Sequence, residues 1–177
     1  MDPQLDSRLV KPLLAQLQAL GCSGQRTVVA LNGPVGAGKS TMARVLQQRA
    51  AGLGLGLAVA SIDDFYLPWE QRQRALAGNP FGVSRVPPGS HDVGLALACL
   101  DAWQAGSALR LPRFDKTLRG GLGDRSAEEL VEAEVLLLEG WLLGCRSLGR
   151  EALANIQPPV GLNAEELAWL PHWDQAL

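Results

Sequence analysis

The chain has 177 residues, 47% of them hydrophobic and 19% charged, with a formal net charge of −2. That length suits one domain with a buried core, and the near-neutral balance gives no reason to expect broad binding to nucleic acid or to a membrane surface. No run of ~18 apolar residues spans a bilayer, the N-terminus lacks a secretory layout, and Cys22, Cys99 and Cys145 share no metal-ligand spacing, so they are expected to be reduced thiols in a cytoplasmic protein.

In chain order, Asp2 and Pro3 are expected to cap and open a helix. Its apolar stripe is Leu5, Leu9, Leu13 and Leu17 with Val10, Leu14 and Leu20, and Gly21 ends it. TVVALN (27–32) is an apolar, β-branched run and predicts a strand. It leads into GPVGAGKS (33–40), a full match to the phosphate-cradling P-loop pattern G-x-x-x-x-G-K-[ST]. STMARVLQQRA (40–50) predicts the following helix, with Met42, Val45 and Leu46 inward. The N-terminus of that helix adds partial positive charge to the anion site. LAVASI (57–62) predicts a second strand, ending at Asp63-Asp64-Phe65-Tyr66. A short helix is expected over 69–77 and an irregular Gly/Pro loop over 78–90. Asp92 then caps a helix that buries Leu95, Leu97, Leu100 and Trp103. The pattern goes on to predict a strand over 108–111, a long polar loop over 113–125 and a helix over 127–133. VLLLE (135–139) reads as a strand buried on both faces. Asn163 and Glu166 make a capping-box pattern for a final helix. Strands alternating with helices predict an α/β fold of P-loop NTPase type, a mostly parallel sheet flanked by helices.

In such a sheet ligands bind beyond the carboxyl ends of the strands. Gly33, Pro34, Val35, Gly36, Ala37, Gly38, Lys39, Ser40 and Thr41 are the candidate ATP-binding residues. Glycines let main-chain N–H groups close on phosphate oxygens, Lys39 reaches the β- and γ-phosphates, and Ser40 ligates Mg²⁺. Glu139, after four apolar residues, is laid out as a second metal-site acid, acting directly or through water. A solvated strand-end glutamate would read the same way. Asp63 is the candidate base for an acceptor hydroxyl and a further candidate metal ligand, with Asp64 the alternative base, because neighbouring strand residues face opposite ways. A turn-initiating Asp-Asp is the plainer reading. Arg110, Arg113, Lys116, Arg119 and Arg125 gather against only Asp115 and Asp124. Such an excess suits an anionic acceptor and the charge of a moving phosphoryl group, or simply a solvated loop. His91, alone on its loop, is a structural histidine by pattern.

The segments SIDDFYLP (61–68), NPFGVSRVPPGSHD (79–92), LPRFDKTLRGGLGDR (111–125) and VLLLEGWLLG (135–144) follow the P-loop in that order. Together they resemble the D-glycerate 3-kinase family of plants and cyanobacteria, within the wider group of uridine kinases, phosphoribulokinases and bacterial pantothenate kinases. The resemblance runs to about Gly149. It implies a P-loop kinase fold and phosphorylation of D-glycerate to 3-phosphoglycerate with ATP and Mg²⁺. It matches Asp63 to the base of the wider group and Glu139 to the acid of the E-G motif; Lys39, from the P-loop, and Lys116 are the expected catalytic cations. The resemblance places His91, Asp92, Arg113, Asp115 and Lys116 on the acceptor side, and Asp64, Tyr66, Arg85 and Arg125 are further candidate substrate-binding residues. The loop 84–92 departs from the family's R-G-x-P-G-T-H-D, lacking the glycine after Arg85 and carrying Ser90 for threonine. Relatives also continue past Leu177 with an arginine-bearing lid helix and a further strand, so the chain is expected to be truncated at its C-terminus.

The expectation is therefore one P-loop kinase domain over 1–177: an N-terminal helix (1–22), a core (23–150) and the start of a C-terminal or lid region (151–177). Its partner is a small anionic substrate, D-glycerate, with no nucleic acid and no membrane. The alternatives are another acceptor (a nucleoside, pantothenate or a sugar acid) and a non-catalytic ATP-binding or regulatory protein.

Overall fold

The computed structural model describes residues 3–177; the expected cap Asp2 lies outside them. α1 (Pro3–Leu5), a π-helical segment (Asp6–Val10) and α2 (Lys11–Gly21) follow one another. The wider π turn rotates the apolar face. Val10, Leu14 and Leu17 are buried behind it, whereas Leu5 and Leu9 are exposed, which corrects the expected stripe.

Beyond this come β1 (Thr27–Asn32), α3 (Lys39–Gly52), β2 (Leu57–Ser61), a 3₁₀ turn (Ile62–Phe65), α4 (Trp69–Ala75) and α5 (Val93–Gln104). Then follow β3 (Leu109–Asp115), a 3₁₀ turn (Arg119–Gly121), β4 (Asp124–Val131), β5 (Val135–Gly140), α6 (Arg150–Ala154) and α7 (Ala164–Gln175). Three strands form a parallel sheet in the order β1-β5-β2. β5 is central and buried throughout, as its unbroken apolar run requires. β1 has β5 on one side only among the described residues, and its positions are half-buried or exposed. In register, Leu31 and Ser61 both lie opposite Glu139, so the three strands end on one rim.

The period of two along β5 divides the core. Val135 and Leu137 face Val10, Leu14, Leu17, Ala43, Leu46 and Ala50 from the N-terminal helix and α3. Leu136 and Leu138 face Phe65, Ala96, Trp103, Leu109 and Leu111. Asp92 caps α5 as expected, accepting from Leu95 N at 3.0 Å. Leu97, expected inside, is exposed, because two residues turn the helix by ~200° away from Leu95.

The largest correction concerns 113–133. The expected loop and helix are instead a β-hairpin, β3 paired antiparallel with β4 from Leu109↔Val131 to Asp115↔Asp124. SAEELV carries helix formers, but so short a run does not nucleate a helix alone. Pairing with β3 satisfies both backbones and lets Val131 reach the second core cluster. Gly120, Gly121 and Gly123 close the connection at positive φ.

Candidate active site

β1 delivers the chain to the P-loop, where Gly33 N donates to Gly140 O at 3.2 Å, tying the loop to the end of β5. Gly36 and Gly38 have φ of 81° and 83°, a region that costs a side-chain-bearing residue about 1–2 kcal/mol. Nothing lies within 4 Å of where a Cβ would stand at either position, so the backbone face stays open to a phosphate. Lys39 opens α3 and folds over the loop, its Nζ donating to Pro34 O at 2.9 Å. Ser40 Oγ donates to Glu139 Oε1 at 2.7 Å. Two hard oxygen donors thus touch beside a cradle of main-chain N–H groups. That set fits Mg²⁺, which takes one or two protein oxygens and completes its shell with phosphates and water.

Asp63 and Asp64 lie on a 3₁₀ turn rather than on the strand. Ser61 Oγ accepts from Asp63 N, and Asp64 Oδ2 accepts from Ser61 N, each at 3.3 Å, a reciprocal cap. Asp64 also accepts from Arg113 Nη1 at 3.0 Å and from Phe114 N at 3.3 Å. Both its oxygens are therefore committed to holding the turn against β3. Arg113 is committed too, shared between Asp64 and Glu129. Asp63 points elsewhere. Its Oδ2 accepts from Lys116 Nζ at 2.7 Å, in a pair whose side chains are 30% and 60% exposed. It also bonds the Tyr66 hydroxyl, which burial first, then the charge and hydrogen bond of Asp63, push above the usual tyrosine range.

The Gly/Pro loop is fastened to this turn. Leu67 N donates to Ser90 O at 2.9 Å and Asp92 N to Phe65 O at 2.7 Å, and Tyr66 and His91 form a bridge with rings stacked 4.2 Å apart. Ser90 Oγ gives its one proton to Pro87 O at 2.6 Å. His91 Nδ1, 3.3 Å away, must then be the donor to Ser90 Oγ, which leaves the lone pair on Nε2. Burial pulls His91 down to about 4 against the attraction of Asp63, so the ring is neutral near pH 7. His91 Nε2 and Arg85 Nη1 are both buried without a hydrogen-bond partner.

Arg125 donates to Tyr66 O at 3.0 Å and to Asp92 Oδ2 at 2.9 Å. Burial raises the Asp92 carboxyl, but the Leu95 N–H and Arg125 outweigh it and hold Asp92 below its usual range. Asp115 accepts from Thr117 N and Oγ1 and shapes the hairpin turn. The expected acceptor-side residues thus divide. Asp63, Tyr66, His91 and Lys116 meet at one place, while Asp64 with Arg113 and Asp92 with Arg125 pair among themselves. Sequence reading missed Arg72 and the bracing role of Asp124, which accepts from Trp69 N, Arg119 Nε and Arg125 N. The available signal for Arg72 was its place on the buried face of α4, four residues before Leu76.

A parallel sheet with a P-loop, a hydroxyl–carboxylate pair between the start of α3 and the end of β5, and an acid on the turn after β2 have the layout of a P-loop kinase domain. No family model matches the chain. It is 30% identical over 161 residues to the chloroplastic D-glycerate 3-kinase of Arabidopsis thaliana, covering 84% of this chain and 35% of that protein. It aligns with D-glycerate 3-kinase from Cryptococcus neoformans var. grubii at 27% identity and a TM-score of 0.69, over 82% of this chain and 57% of that one. A possible uridine kinase from Bacillus stearothermophilus shares the fold, with 20% identity, a TM-score of 0.56, and 84% and 75% of the two chains covered. The chain is similar to these D-glycerate 3-kinases and shares their P-loop kinase fold, and it spans less than two thirds of the length of either. Among the described residues no helix is long and apolar enough to cross a membrane.

Proposed function

We propose that this protein transfers the γ-phosphoryl group of ATP to a hydroxyl of a small acid, D-glycerate being the acceptor and 3-phosphoglycerate the product. The observation that carries the reading is the shared rim: the Ser40–Glu139 contact stands at the end of β5, and the turn presenting Asp63 leaves the neighbouring strand two residues past Ser61.

In this reading the 33–41 backbone and Lys39 hold the triphosphate, and Ser40 and Glu139 hold Mg²⁺. The metal supplies neutralisation of charge between the β- and γ-phosphates. Asp63 takes the proton of the acceptor hydroxyl as that oxygen bonds to phosphorus and ADP departs with the bond it breaks. Lys116 is exposed enough to exchange Asp63 for an incoming anion, and so brings a cation to the acceptor carboxylate. Tyr66 and His91, stacked and both neutral, wall the acceptor side and keep Asp63 oriented. Catalysis is then chiefly positioning and electrostatics. Cys22, Cys99 and Cys145 are all free thiols, which fits a reducing, cytoplasmic-type compartment.

The test is an acceptor panel of D-glycerate, L-glycerate, uridine, pantothenate and gluconate with labelled ATP. Label in 3-phosphoglycerate supports the reading. Transfer to uridine alone, or tight MgATP binding with no acceptor-dependent ADP release, overturns it.

A further inference from the structure

Arg72 is fully buried, yet no carboxylate pairs with it among the described residues. Its guanidinium is satisfied by main-chain carbonyls instead. Nε donates to Ser84 O at 2.9 Å and Nη1 to Leu67 O at 2.8 Å. Nη2 donates to Leu122 O at 2.8 Å and to Gly123 O at 2.6 Å. The cation also lies over aromatic rings, 5.0 Å from the Phe114 centroid, 5.6 Å from Trp69 and 5.8 Å from Tyr66. Burial lowers its basicity, partly offset by the charge of Asp124.

Those carbonyls belong to three separate pieces of chain. Leu67 follows the Asp63–Tyr66 turn. Ser84 precedes Arg85 in the loop that ends at His91. Leu122 and Gly123 close the hairpin connection that begins at Lys116. Gly123 is held so closely that a Cβ there would collide with the Phe114 ring and lie 3.0 Å from Arg85 Nη1. A planar fork with fixed donor directions spans three segments in a way a lysine cannot, since a lysine ends in one nitrogen.

We infer that Arg72 is the positioning residue of the acceptor half-site: it fixes the Asp63 turn, the Arg85–His91 loop and the Lys116 hairpin relative to one another without touching substrate. The P-loop, Ser40 and Glu139 are held by the sheet and by α3, with no bond to Arg72, so its effect is confined to the acceptor side. The kinetic part of this inference rests on the kinase reading above; the structural part does not.

The experiment uses the full chain with Arg72→Lys and, as a neutral variant of similar length, Arg72→Met. Amide hydrogen exchange is read over segments 63–67, 84–91 and 116–123 against 33–40 and β5. Faster exchange confined to the three acceptor-side segments is expected in both variants. With D-glycerate, kcat/KM for the acceptor should fall by about 100-fold, the scale of a small misplacement, while MgATP binding by calorimetry stays within about threefold of wild type. Unchanged exchange in the three segments, or an equal rise through β5 and α3, overturns the inference, as does an Arg72→Lys enzyme with wild-type acceptor kinetics. If wild type transfers to no acceptor, the kinase reading fails, and the exchange pattern alone still decides whether Arg72 clasps these segments.

Discussion

Ser40 and Glu139, 99 positions apart in sequence, meet through a 2.7 Å hydrogen bond that joins the first turn of α3 to the end of β5. The contact forms because β1, which leads into the P-loop and α3, pairs in parallel register with β5. Glu139→Gln keeps the shape but removes the charge. It should weaken Mg²⁺ binding by about 10–100-fold, read as the Mg²⁺ concentration giving half-maximal nucleotide binding. An unchanged Mg²⁺ requirement would remove Glu139 from the metal site.

Lys39 and Lys116 are predicted to separate by substrate. Lys39→Met should lower kcat by about 100-fold or more, because it removes a cation from the developing phosphoryl charge. Lys116→Met should raise KM for an acid acceptor while leaving MgATP affinity within about threefold. Steady-state kinetics with each substrate varied in turn checks both. Equal effects of the two variants on ATP affinity would contradict the separation of the two half-sites.

Much of this was legible in the sequence because it is local. GPVGAGKS states its own loop, VLLLE states a strand buried on both faces, and Asp92 announces its helix. The hairpin was not legible. AEELVEA (127–133) looks helical in isolation, and only pairing with β3 makes its first part a strand. That error hid the central contact of the site, since Lys116 reaches Asp63 across 53 positions only because the hairpin returns over the strand rim. It also left Asp64 open as the alternative to Asp63. Their difference lies in what each carboxylate bonds: Asp64 meets Arg113 and two backbone N–H groups, whereas Asp63 meets Lys116 and Tyr66. Arg72 was missed for a related reason: its spacing to Leu76 was a weak signal, and a charged residue on a short helix reads as solvated until the segments it binds are folded around it.

The buried neutral His91 makes stability fall with acid. Its folded value of about 4 lies below the 6.5 of the unfolded chain. Between these values the unfolded state binds the extra proton, so the contribution of His91 is fully present above about pH 6.5, declines as pH falls toward 4, and is lost below that. The size is at most about 3 kcal/mol. Urea unfolding from pH 7.5 to 4.5 measures it. His91→Gln should flatten the upper part of that decline, from 7.5 to 5.5, before the carboxylates titrate. An identical slope in wild type and variant would show that His91 is not the group responsible.

In the proposed reaction Asp63 accepts the proton of the acceptor hydroxyl. The most direct measurement is acceptor-dependent ADP release by Asp63→Asn beside its MgATP affinity by calorimetry. Transfer should drop by about 10²–10⁴-fold, the range of a lost general base, with nucleotide affinity within about threefold of wild type. Turnover near the wild-type rate would contradict the assignment.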